Sequence, residues 1–239
     1  MTPYASGPVI PNFGHASKCV TENHLFCKSW VADNWGGVLQ PALLEHLKLT
    51  LIAVAIGFVI AFAAALVAHR YGWLEAPFSL FSAFLYTIPS LALFQLLVPF
   101  TGLTVTTVEI ALVGYTLLIL FRNILAGLRG VPEEVLESAS GMGLTRRQIL
   151  VRVELPLALP AIFAGVRIAV VTTVSLATVA AFVIPEGLGH PIFIALRDYF
   201  KTEFIAAGAL AVALALVADA LLVVLQRVLT PWARARKPA

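Results

Sequence analysis

The sequence predicts an all-α integral membrane protein that crosses its bilayer about five times, and three observations carry the prediction. Of 239 residues, 60% are hydrophobic and only 12% are charged. Mean hydropathy is +0.93. Apolar runs long enough to cross a bilayer, roughly 20 residues each, recur along the chain. A soluble domain carries roughly a quarter charged residues, so these charges are too few to cover a water-facing surface.

The elements follow in order. Residues 1–45 read as an extracytoplasmic tail with an interfacial segment. They lack the basic start and continuous apolar core of a cleavable signal peptide. Cys19 and Cys27, the only cysteines, fall in this tail, where oxidation is permitted. A disulfide between them would close a short loop and restrict the tail by ~2–3 kcal/mol; two free thiols in a flexible tail is the other reading. Trp30, Trp35, Leu39 and Leu43 suit a segment in the membrane interface.

A transmembrane domain over 46–227 then holds five expected spans: 49–68, 77–100, 101–121, 157–184 and 204–226. The first two are free of charge, and the others carry Glu109, Arg167 and Asp219 respectively. Pro89 inside the second span predicts a kink whose freed carbonyl neighbouring helices satisfy. At 1.5 Å per residue Arg167 lies roughly 15 Å from the cytoplasmic end of its span, Asp219 roughly 11 Å and Glu109 roughly 18 Å. An unpaired central arginine costs ~2.5–3.5 kcal/mol on insertion scales. Arg167 is therefore expected to pair with Asp219 or Glu109, as a structural pair or as part of a pathway.

Orientation follows from Lys and Arg in the connecting segments. With the N-terminus outside, Arg70, Arg122, Arg129, Arg146, Arg147, Arg152, Arg227, Arg234, Arg236 and Lys237 lie inside, against Lys18, Lys28, Lys48, Arg197 and Lys201 outside. The bias predicts the N-terminus outside and a basic cytoplasmic tail over 228–239. The net charge of +3 thus reads as membrane orientation rather than nucleic-acid binding, since the basic residues form no continuous patch.

The polar segment 127–157 carries the strongest pattern. Pro132 followed by Glu133 and Glu134 opens a helix, because proline suits the first turn and acids suit its positive end. Gly141-Met142-Gly143 should stop it. Thr145-Arg146-Arg147-Gln148 matches a capping box that opens a second helix. Pro156 and Pro160 are expected to end that helix and turn the chain into the fourth span. The expected product is a short helix–turn–helix at the cytoplasmic surface, shaped to dock in a partner's groove.

This segment resembles the EAA loop of bacterial ABC importer permeases. Glu137-Ser138-Ala139 is followed by Gly143 at the family offset, and then, after nine residues, by Val153-Glu154-Leu155-Pro156. Ser138 and Val153 replace Ala and Ile. Glu45-His46-Leu47-Lys48, Thr87-Ile88-Pro89-Ser90, Arg122-Asn123 and the run from Ala126 to Pro132 resemble the osmoprotectant permeases for glycine betaine, choline and carnitine. One turn departs: Ile184-Pro185-Glu186-Gly187-Leu188-Gly189 stands where that family has a glycine-rich sequence, giving a stiffer, acidic turn at the outer face.

The resemblance implies a type I ABC importer permease fold in the cell (inner or plasma) membrane. It also implies a second permease subunit, an ATPase pair docked on the loop, and an extracytoplasmic solute-binding protein. Membrane lipid would surround the spans. The chain lacks a G-x-x-x-x-G-K-[ST] phosphate loop, so ATP hydrolysis is assigned to a partner. No metal-ligand spacing, cofactor motif or G-x-S-x-G elbow points to an enzyme. His69 reads as an interface residue and His46 as a residue at the head of the first span. The alternative is a gradient-driven secondary transporter, which predicts an inverted internal repeat and buried acids for coupling ions. Glu109 and Asp219 are the acids available to it.

Overall fold

The computed structural model describes residues 18–234. The start of the tail and residues 235–239, with Arg236 and Lys237, lie outside the described residues. A short N-terminal knuckle comes first, α1 (Lys18–Thr21) and α2 (Lys28–Asn34), and leads through one π-turn into α3 (Gln40–Tyr71). Then follow α4 (Glu75–Thr87), α5 (Ser90–Thr101) and α6 (Val105–Arg129). The loop contributes α7 (Glu133–Gly141) and α8 (Arg146–Ile149), and the chain closes with α9 (Leu155–Val179), α10 (Gly189–Arg197) and α11 (Lys201–Leu229).

Small residues let these helices approach closely, as association without a strong hydrophobic drive requires. On α3, Ala53, Gly57, Ala61, Ala65 and Ala68 are all buried at intervals of about one turn. A Cβ on Gly57 would overlap the Thr116 hydroxyl of α6. Leu49 and Ala53 cluster with Val108 and Leu112, while Ala65 and Ala68 cluster with Phe121, Ile124 and Leu128. Helices α3 and α6 therefore run parallel. Helix α9 runs antiparallel to both: Gly127 of α6 packs on Ala158 and Ala161, Gly165 packs on Asn123, and His46 reaches Val174.

Parallel neighbours need a return crossing between them, and α4 with α5 supplies it. The single kinked span expected over 77–100 is two helices meeting at 100°. Pro89 lacks an N–H and Ile88 is extended, with ψ 129°, as the residue before proline prefers. The Ile88 carbonyl freed at the break accepts the Tyr115 hydroxyl of α6 at 2.5 Å. Counting the broken pair as one crossing gives five among the described residues, from four long apolar helices and the pair.

Two prolines behave differently from expectation. Pro156 and Pro160 do not end a helix: Arg146–Phe182 is one helical path of 37 residues. A π-turn at Leu150–Glu154 precedes Pro156, and there the Leu155 N–H reaches back to the Leu150 carbonyl. The same device precedes Pro41, where a π-turn at Trp35–Leu39 lets the Gln40 N–H reach the Trp35 carbonyl. Widening the turn makes room for the proline ring, which would otherwise meet a carbonyl one turn back. Helix α10 was not expected at all. It is a short apolar segment that packs with α11 around Ala206, Ala207 and Ala211.

Candidate functional site

The segment with the family spacing folds as a rigid hairpin beyond the membrane helices. Helix α7 starts after Pro132 with Glu133 and Glu134 in its first turn, where acids complement the helix dipole. It ends in a Schellman motif: the Gly143 N–H donates to the Ser140 carbonyl at 2.9 Å, and the Leu144 N–H to the Ala139 carbonyl at 3.3 Å. Gly143 sits at φ +83°, the left-handed region that favours glycine. Thr145 and Gln148 then form a reciprocal capping box at the start of α8.

Within this hairpin Ala139 is buried, while Glu137, Ser138 and Gly143 face solvent. The Ser138 hydroxyl donates back to the Glu134 carbonyl at 2.7 Å. Val153, Leu155 and Pro156 are half-buried where the π-turn joins α9. A hydrogen bond between His69 of α3 and Glu154 at 3.2 Å ties the hairpin's base to the membrane helices, and close by an ion pair at 2.7 Å joins Arg129 of α6 to Glu75 of α4. Glu154 is buried, so His69, read from the sequence as an interface residue, has a structural partner. Sequence reasoning missed this tie because the residues are 85 apart and fall on separate elements.

The structure brings Arg167 and Asp219 together and leaves Glu109 apart. Arg167 Nε and Nη2 donate to Oδ1 and Oδ2 of Asp219 at 2.7 and 2.9 Å. This bidentate fork gives the pair a fixed geometry. It lies between α9 and α11 in an open groove of about 490 Å³ with walls such as Ile168, Val171 and Leu216. The two side chains keep 35% and 32% of their surface exposed, so a single subunit does not seal the pair. Both carboxylate oxygens of Glu109 are shielded and meet no hydrogen-bond donor.

At the opposite end, Cys19 and Cys27 are joined as a disulfide with Cα atoms 5.8 Å apart. The loop they close is fastened to the start of α11. Asn23 donates to the Tyr199 carbonyl at 2.8 Å and accepts from the Lys201 N–H at 3.0 Å. Thr202 bonds both the His24 carbonyl and the Cys27 N–H. Among the described residues no cluster of His, Cys, Asp and Glu has the makings of a metal site.

The family described as "binding-protein-dependent transport system inner membrane component" matches residues 47–235. The choline transport system permease protein OpuBB of Bacillus subtilis is 38% identical over 197 residues, covering 82% of this chain and 90% of that protein. The osmoprotectant import permease protein OsmW of Salmonella typhimurium is 35% identical over 207 residues, covering 84% and 96%. Among solved structures, a chain of the MetNI methionine ABC transporter in inward-facing conformations has a similar fold. The TM-score is 0.73 with 22% identity, over 83% of this chain and 99% of that one. The match runs from the first span to the C-terminal segment, through the hairpin between α6 and α9, and the protein belongs to the family of binding-protein-dependent transport system inner membrane components, the permeases of ABC importers.

Proposed function

We propose that this chain is one of two permease subunits, identical or paralogous, of an importer driven by a separate ATPase pair. Its cargo is a small quaternary ammonium osmoprotectant handed over by an extracytoplasmic solute-binding protein. The observation that carries the reading is the α7–α8 hairpin. It is a stiff, doubly capped projection whose exposed Glu137 and Gly143 stand at the family spacing. The solute class draws on relatives named for choline, glycine betaine and carnitine.

In this reading the hairpin is cytoplasmic and the N-terminus outside. The positive-inside bias supports that orientation, since Arg70, Arg129, Arg146, Arg147, Arg152 and Arg227 gather at the hairpin's end of the bundle. ATPase closure draws the two hairpins together. Because α8, the π-turn and α9 form one helical path, the displacement passes directly into the helix that carries Arg167. The Arg167–Asp219 pair then links α9 to α11, so the two helices move together. With its charge neutralised, the pair poses less of a barrier to a permeating cation than a bare arginine would.

Uptake of labelled choline, glycine betaine and carnitine into proteoliposomes holding permease, ATPase and binding protein tests the reading. Uptake is expected to require ATP hydrolysis and to persist when ion gradients are collapsed. Gradient-driven uptake without the ATPase would instead establish the secondary transporter. ATP-driven uptake of an unrelated solute alone would overturn the cargo and leave the importer standing.

A further inference from the structure

His46, on α3, is fully buried, and both of its ring nitrogens are engaged. The Leu188 N–H donates to Nδ1 at 3.2 Å, so Nδ1 is an acceptor and carries no proton. Nε2 therefore holds the proton and donates to the Val174 carbonyl of α9 at 3.0 Å. One residue earlier, the Glu45 carboxylate accepts the Gly187 N–H at 2.9 Å. Consecutive N–H groups of the outer turn are thus received by consecutive side chains of α3.

The turn is shaped to this seat. Gly187 has φ +73°, and a Cβ there would stand 3.1 Å from His46 Nδ1. The position needs glycine for its backbone conformation and is tight against the imidazole. Gly189 lies so close to the Thr178 carbonyl of α9 that a Cβ has no room. The His190 N–H then closes on the Gly187 carbonyl at 3.1 Å, and α10 begins. One imidazole therefore joins α3, α9 and the turn that carries α10, in the stretch where the sequence departs from the glycine-rich family pattern.

We propose that Glu45 and His46 are positioning residues of the transport cycle: they hold the turn 185–189 and α10 to the outer ends of α3 and α9, so that these parts move as one block. The proposal rests on the chain being an importer permease and not on which solute it carries. Without the seat, the turn's N–H groups lose their acceptors, and α10 can drift from the bundle while the inner end still responds to the ATPase.

A spin label at Glu186→Cys, read in the assembled transporter in nanodiscs, reports on the turn, and uptake is measured on unlabelled variants. His46→Gln places an amide where Nε2 stood and keeps the tie to Val174 but removes the Nδ1 acceptor. The label is expected to become mobile, and uptake to fall roughly tenfold, in keeping with one buried donor left unpaired. ATPase co-purification should not change. His46→Asn places an amide oxygen near Nδ1, at the loss of the tie to Val174, and should restore the label's immobility. A label as immobile in His46→Gln as in the parent, or equally mobile in His46→Asn, overturns the proposal. If the His46 variants do not accumulate, Glu45→Ala decides, because Glu45 is only half-buried: a mobile label supports the seat and an immobile one refutes it.

Discussion

At the scale of single residues, an arginine inside a membrane helix is stable only with a partner, and azimuth selects the partner. Depth along the spans does not separate Asp219 from Glu109. The antiparallel packing of α9 and α11 turns Asp219 toward Arg167, where two N–H groups grip its two oxygens. Glu109 lies on α6 with its oxygens shielded and no donor in reach. Arg167→Leu should strand the Asp219 charge and lower the yield of folded permease. Adding Asp219→Leu should recover yield, measured by size-exclusion profile and thermal stability in detergent. Adding Glu109→Gln should not. Recovery through Glu109 alone would contradict the pairing.

At the scale of elements, apolar length was legible and local backbone devices were not. Helices α3 and α11 contain their expected runs and extend beyond them, whereas α6 begins only at Val105, inside its run, and the helical path through α9 ends at Phe182, short of its run's end. The cap residues Pro132, Gly143 and Thr145 locate α7 and α8 because their chemistry is local. The π-turns before Pro41 and Pro156 leave no such signature, since proline ends a helix unless the previous turn widens. Helix α10 is too short for a hydropathy run to separate it from the spans around it. Its position depends on Glu45 and His46, more than 140 residues away. In the N-terminal knuckle, Asn23 and Thr202 fasten a loop closed by Cys19 and Cys27. Intact-mass analysis after alkylation of the native protein should show no added label, and two added labels after reduction. Immediate labelling of both thiols would remove the disulfide and leave the knuckle on its hydrogen bonds alone.

At the scale of the whole molecule, the parallel pairing of α3 with α6 requires the broken α4–α5 pair to return the chain across the membrane. The hairpin and the knuckle consequently lie on opposite sides. The number of crossings could be read from composition, but the packing order could not, because it depends on which small residues meet, such as Gly57 with Thr116 and Gly165 with Asn123. If the exposed hairpin couples this bundle to an ATPase, as proposed, Gly143 is the place to test it. Its φ is +83°, so Gly143→Val meets a left-handed penalty of ~1–2 kcal/mol. No atom lies within 4 Å of a Cβ there, so the damage should stay in the hairpin and the permease should remain inserted and dimeric. The decisive measurement is co-purification of the ATPase with Gly143→Val permease, together with solute-stimulated ATP hydrolysis in liposomes. The expected result is loss of docking, or docking without stimulated hydrolysis, on an intact permease dimer; normal docking with normal stimulation would rule out the hairpin as the coupling element.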